Sequence, residues 1–203
     1  MDRAVETVLH EFEKRSASEW EEVKRLETTA ERIDDLLLAV GPATGHLINL
    51  LAKEAGAKVI LEVGSSYGYS TVWLAEAARE TGGKVISLEN RQLKQEHARA
   101  SIDRAGLAGL VDFRLGDART SLNEMAESVD FVLLDLWKHL YIPCFDLFYP
   151  KLQPGALIAA DNMLFPESTR PSAEAYRQHV RTKPHIESVL LHVGSGVELS
   201  RYK

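Results

Sequence analysis

The sequence predicts an α/β fold: a mostly parallel β-sheet with helices on both faces, preceded by a helical extension. Three observations carry this. From residue 58 onward, apolar runs of strand length alternate with segments of helical period. The first run, Val59-Ile60-Leu61-Glu62-Val63, ends in Gly64 and passes through the small-residue turn Ser65-Ser66-Tyr67-Gly68 into a helical pattern. The last two runs flank Gly194-Ser195-Gly196, a tight turn that marks a hairpin and therefore an antiparallel last strand.

The chain's 203 residues suffice for one domain with a substantial core. We read 1–203 as a single domain, with 1–57 a helical extension and 58–203 the α/β core. In the extension, residues 1–16 carry a weak helical pattern, compatible with a mobile arm. Ser18-Glu19-Trp20-Glu21 fits a capping box with Ser18 as N-cap. Trp20, Val23, Ala30, Ile33, Leu37 and Val40 then recur at helical spacing, and Gly41-Pro42 is expected to stop that helix. Another helix is predicted over 43–55, closed by Gly56.

In the core, strand 58–63 leads to helix 68–80, strand 84–89 to helix 91–105, and strand 111–115 to a short helix over 119–127. Strand 129–135 leads to helix 137–149. Pro154-Gly155 turns into strand 156–161, and a Pro-rich loop, 162–171, precedes helix 172–182. Strands 186–193 and 197–202 close the chain.

Composition narrows the class. The chain is 45% hydrophobic and 27% charged, as in a soluble globular protein. No apolar run approaches the ~20 residues that span a bilayer, and Met1-Asp2-Arg3-Ala4-Val5-Glu6 lacks a signal peptide's apolar segment, so a cytoplasmic location is expected. The formal charge of −6 argues against broad, non-specific nucleic-acid binding. The single cysteine, Cys144, rules out an internal disulfide or a Cys-cluster metal site and reads as a core residue.

In such sheets ligands bind beyond the carboxyl ends of the strands. The five parallel strands end in Glu62 and Gly64, in Glu89-Asn90, in Gly116-Asp117, in Asp135, and in Asp161-Asn162. The Gly64 turn is placed to bring backbone close to a nucleoside-bearing cofactor, although its spacing is not that of the dinucleotide fingerprint. Glu89 can accept ribose hydroxyl protons; Asp117 is placed for an adenine amino group, or to cap the next helix. Ser70 and the backbone N–H groups around Gly68, at a helix start, suit a carboxylate. Asp135, Asp161 and Asn162 meet at one point if their strands are neighbours, an all-oxygen set suited to a hard divalent ion such as Mg²⁺. Lys138, one helical turn past Asp135, falls over that point and is a candidate general base.

Taken together these residues resemble the class I S-adenosylmethionine-dependent O-methyltransferases of the catechol and caffeoyl-CoA O-methyltransferase type. The resemblance spans about 42–203. It rests on Leu61-Glu62-Val63-Gly64 followed by Tyr67-Gly68-Tyr69-Ser70, on Glu89, on Asp135-Leu136-Trp137-Lys138, on Ala160-Asp161-Asn162, and on Pro42-Ala43-Thr44-Gly45 leading into Leu50-Leu51. It implies a seven-stranded, Rossmann-like methyltransferase sheet with its last strand antiparallel. It implies a cofactor site that includes Glu62, Gly64, Ser65, Ser66, Gly68, Ser70, Glu89, Asn90, Asp117, Ala118 and Asp135. It implies that Asp135, Asp161 and Asn162 hold a divalent ion, that Lys138 is the base, and that the protein is a homodimer acting on a small hydroxylated aromatic.

The sequence departs from catechol O-methyltransferase at Ala118-Arg119, where that enzyme has a Ser-Gln pair, and at Leu136, where it has a histidine. Three other readings stand beside this one: a same-fold enzyme acting on a hydroxylated tRNA base, a dinucleotide-dependent oxidoreductase, and a non-catalytic cofactor-binding module.

Overall fold

Each apolar run pairs with its neighbours in a computed structural model that describes residues 1–25 and 35–203, with all of their side chains except those of Trp20 and residues 22–25. The strands are β1 (Val59–Val63), β2 (Lys84–Glu89), β3 (Val111–Leu115), β4 (Val129–Leu134), β5 (Leu152–Ala160), β6 (Ile186–Leu191) and β7 (Val197–Tyr202). They form one seven-stranded sheet of order β3-β2-β1-β4-β5-β7-β6. The first five are parallel, and β7 runs antiparallel to both β5 and β6, as the Gly194-Ser195-Gly196 turn predicts. The described helices are α1 (Arg3–Arg25), α2 (Gly41–Glu54), α3 (Tyr69–Thr81), α4 (Gln92–Arg104), α5 (Ala118–Glu124), α6 (Tyr141–Phe148) and α7 (Arg170–Arg181).

Two apolar layers sandwich the sheet. In β4, Phe131 and Leu133 join the layer under α1–α4, while Val132 and Leu134 join the layer under α5–α7. A strand covered on both faces must be apolar at every position, which is why this run reads Phe-Val-Leu-Leu without alternation.

The extension differs from the expectation. Residues 1–16 are no mobile arm: Val5, Val8, Leu9 and Phe12 are buried at helical spacing, and Phe12 meets Tyr69 edge-on at 5.9 Å between ring centroids. Burying those four side chains contributes about 1.5–3 kcal/mol each, which offsets much of the conformational entropy lost when this part of the helix is ordered. The helix starts at Asp2, whose Oδ1 accepts from the amides of Ala4 and Val5. Ser18 therefore lies mid-helix and caps nothing. Glu19 instead reaches outward: Oε2 accepts from the Leu37 amide at 2.7 Å, and Oε1 pairs with Arg15 at 2.6 Å.

Residues 35–40 are not helical, so the predicted helix does not reach Val40. The stretch 26–34, with Ala30 and Ile33, and the side chains of Trp20 and Val23 lie outside the described residues. Gly41-Pro42 starts α2 rather than stopping a helix, because a first-turn proline lacks only an amide that had no partner anyway. Pro154-Gly155 falls inside β5 at an irregularity in its pairing with β4, not in a turn before it.

Candidate functional site

The strand order reverses between β1 and β4, each of which continues outward to a different edge. That reversal opens a crevice at their carboxyl ends. Gly64 sits at its base with φ +95°, and a Cβ there would lie 2.1 Å from the Asp135 carbonyl oxygen. No other residue fits this position, since the obstacle is backbone.

Above it lies a cavity of about 760 Å³. Gly64, Ser66, Glu89, Asn90, Asp117, Ala118, Asp135, Lys138 and Asn162 all line it, so nine of the residues singled out from sequence share one space. Ser65 and Ser70 line a small adjoining void beneath residues 37–40, where the buried Ser65 hydroxyl has no protein partner.

Two residues expected at the cofactor do not line the cavity or its adjoining void. Gly68 is absent from the cavity wall; a Cβ there would meet Ala98 of α4 at 2.7 Å, so its small size serves helix packing. Glu62 is fully buried, and its carboxylate accepts from Ser70, Thr71 and Ser87, each at 2.7 Å. It ties β1 to β2 and to the first turn of α3.

Burial pushes the Glu62 pKa up to about 7, with the three hydroxyls opposing and the Asp135 charge adding. The folded pKa thus lies above the unfolded one, so the unfolded state loses its proton first. Stability from this group is present below pH ~4.5 and is lost as pH rises through about 7. Glu62→Gln removes the titration. Urea denaturation of both proteins at pH 5 and pH 8 should show the wild type losing about 1–3 kcal/mol relative to the variant across that window. An unchanged difference would refute the burial argument.

Glu89 is held by backbone. Its Oε2 accepts from the Ser66 amide at 2.8 Å, and Oε1 accepts from Asn90 and Arg91 at 3.0 and 2.9 Å. A carboxylate offers about four lone-pair sites, so capacity for a further donor remains on Oε2. Asp117 caps α5, with Oδ1 accepting from the amides of Arg119 and Thr120, and it also pairs with the Arg119 guanidinium at 3.0 Å. That guanidinium holds the Asp117 carboxyl below its ordinary value. Arg119, one of the departures noted above, thus engages the residue expected at an adenine amino group.

Asp135 and Asp161 are neighbours. Leu134 and Ala160 are register partners, and the two aspartates follow one step on. The Asp161 amide donates to the Leu134 carbonyl at 3.1 Å, continuing the ladder. Asp161 is fully buried, yet neither of its carboxylate oxygens has a hydrogen-bond partner. Burial raises the pKa of both aspartates, and the charge of Asp135 raises that of Asp161 further. Asn162 follows with φ +55°, a left-handed conformation that Asn tolerates better than most residues.

Lys138 lies not on a regular α-helix but in a 3₁₀ turn, Lys138–Leu140, that precedes α6. Its Nζ donates to the Asp161 carbonyl at 3.0 Å and to the Tyr141 hydroxyl at 2.5 Å, and lies 3.8 Å from the Tyr141 ring centroid. Burial lowers its pKa to about 8, against the opposing pull of Asp135 and Asp161.

Sequence reasoning missed several parts of this site. Tyr141 is buried beside Lys138 and also donates to the Asp161 carbonyl at 3.1 Å; its spacing of three from Lys138 is the available clue. Leu36, Leu38, Ala39 and Val40 roof the cavity, and Gly194 and Ser195 close another side; long-range contacts of this kind leave no local pattern. Trp137 and Phe165 line it while 49% and 53% exposed, two large apolar side chains that leave solvent when the cavity fills.

No helix of the described residues is long and apolar enough to cross a membrane. A family model described as O-methyltransferase matches residues 13–203. A catechol O-methyltransferase from Niastella koreensis is 35% identical over 151 residues, which cover 70% of this chain and 68% of that protein. A caffeoyl-CoA O-methyltransferase from Petroselinum crispum is 31% identical over 186 residues, covering 81% of this chain and 77% of that one. The structure of an O-methyltransferase from Bacillus cereus in complex with SAH matches with a TM-score of 0.78 at 28% identity, over 97% of this chain and 91% of that one. The family model spans nearly the whole sequence, including every strand of the sheet, so the chain belongs to the O-methyltransferase family.

Proposed function

We propose that this chain moves the methyl group of S-adenosylmethionine to a hydroxyl of a small aromatic acceptor with two adjacent hydroxyls, and that it needs a divalent cation to do so. The observation that carries the reading is Asp161. Two buried carboxylate oxygens without partners, beside a second carboxylate, are costly unless a cation joins them. Asp135, Asp161 and Asn162 are oxygen donors only, a set that suits Mg²⁺ and not Zn²⁺. These residues would hold the ion, which when bound supplies a Lewis acid for a hydroxyl oxygen.

The donor, when bound, supplies an electrophilic methyl group. Glu89 would hold its ribose, already fixed by three backbone amides so that no reorganisation is needed. The unpartnered Ser65 hydroxyl, in the small void that adjoins the cavity, would bond the amino-acid end directly or through a bridging water. Lys138 would take the proton from the acceptor hydroxyl at Nζ. Burial keeps a fraction of that amine neutral near pH 8, and Tyr141 and the Asp161 carbonyl fix its position. Trp137 and Phe165 would flank an aromatic ring and keep water from the reacting oxygen. Alignment of this kind can supply about 7–11 kcal/mol of barrier lowering.

The test is a screen with methyl-labelled donor against simple catechols, caffeoyl-type diols, the matching monophenols and bulk tRNA, each with Mg²⁺ and with chelator. The expected result is transfer to the diols that chelator abolishes and Mg²⁺ restores. Full turnover in chelator overturns the metal requirement. Labelling of tRNA alone, steeply weakened by salt, replaces the acceptor.

A further inference from the structure

The loop that leaves β5 carries Asn162 into the cavity and then returns along its wall through Phe165 and Pro166. Three consecutive amides of this loop donate to one place. Met163 donates to the Gly196 carbonyl at 2.9 Å, while Leu164 and Phe165 donate to the Ser195 carbonyl at 2.8 and 3.3 Å. That place is the turn between β6 and β7, which is far from the loop in sequence and belongs to the antiparallel end of the sheet.

The turn is wedged on both sides. Gly196 has φ +87°, and a Cβ there would meet Leu164 at 2.6 Å. Gly194 has φ +56°, and a Cβ there would meet the Thr44 hydroxyl of α2 at 2.4 Å. The turn therefore fills the gap between α2 and the loop with backbone alone. Gly194 and Ser195 themselves line the cavity, so no further layer separates the turn from the site.

We propose that Gly196 is a positioning residue: it lets the hairpin turn seat the 162–166 loop, and so sets where Asn162 and Phe165 face the acceptor end of the cavity. This rests on the reading of that end given under Proposed function. A methyl group at position 196 displaces Leu164, and the three amide bonds lengthen together, since they share two carbonyls. The donor end, at Glu89 and Asp117, belongs to other strands and is left unchanged.

Gly155 supplies a matched control. Its φ of +91° imposes the same backbone penalty on alanine, but a Cβ there meets nothing within 4 Å. The experiment compares Gly196→Ala, Gly194→Ala and Gly155→Ala by four readouts: amide hydrogen exchange over 163–165, Mn²⁺ affinity, S-adenosylhomocysteine affinity, and acceptor KM with kcat. In Gly196→Ala the loop amides should exchange at least tenfold faster, Mn²⁺ affinity should fall, and acceptor KM should rise tenfold or more. S-adenosylhomocysteine affinity should stay within twofold. Gly155→Ala should match the wild type in all four.

Gly194→Ala, whose Cβ meets Thr44 of α2 and not the loop itself, should show the same pattern more weakly, and it decides the matter if Gly196→Ala does not fold. Wild-type exchange and KM in the folded turn variants overturn the proposal. So does a loss of S-adenosylhomocysteine binding equal to the loss at the acceptor end, which marks general damage. Metal-independent turnover of the wild type overturns the functional reading instead, and the exchange result then stands alone.

Discussion

Asp161→Ala is expected to abolish methyl transfer together with its dependence on Mg²⁺, while S-adenosylhomocysteine binds within about threefold of wild type. The side chain lies at the end of β5 beside Asp135, with both carboxylate oxygens buried and unpartnered. Removing it takes away a ligand that no neighbour can replace, because Lys138 and Tyr141 engage the backbone carbonyl of the residue and not its carboxylate. The donor end keeps every contact it has. A second readout separates this from misfolding. Mg²⁺ binding to the folded state should raise the melting temperature of the wild type, by about 1–3 kcal/mol of linkage at saturating ion, and should leave the variant unmoved. Retained turnover in the variant, or an equal Mg²⁺ shift in both proteins, would remove the metal from the mechanism.

Lys138→Ala is expected to lower kcat by about 10²–10⁴, the usual loss on deleting a general base, with little change in donor affinity. The fold should tolerate it. Once the ammonium is gone, the Tyr141 hydroxyl still donates to the Asp161 carbonyl, so no buried acceptor is orphaned. Lys138→Arg should not rescue, since a guanidinium stays protonated and its planar fork cannot reproduce one short contact to Tyr141. Rate measurements at saturating donor and acceptor decide it. A kcat within threefold of wild type in the alanine variant would assign the proton to another group.

Much of this site was legible because its residues sit where strands end. Gly64, Glu89, Asp117, Asp135 and Asn162 each follow an apolar run, and a parallel sheet aligns such ends along one edge. The hairpin at Gly194-Ser195-Gly196 was legible for the same kind of reason, since turn chemistry is local. The inward turn of Glu62 was not legible, because an acidic residue near a strand's end can face either way. Only the partners Ser70, Thr71 and Ser87, all on other elements, decide that it points inward. The first sixteen residues were underrated because their charge is high, while burial needs only the one face that holds Val5, Val8, Leu9 and Phe12. Tyr141 escaped notice because its contacts are to a lysine head group and to a carbonyl on another strand.

The grip of Glu19 on the Leu37 amide reaches further than its place in the chain suggests. Residues 36–40 roof the cavity and its adjoining void, and both fastenings are made at Leu37: its amide donates to Glu19 of the amino-terminal helix, and its carbonyl accepts from the Ser66 hydroxyl. A helix that lines little of the cavity is thereby tied to its roof, and under the proposed function Glu19→Ala is expected to speed release of S-adenosylhomocysteine, read by its dissociation rate.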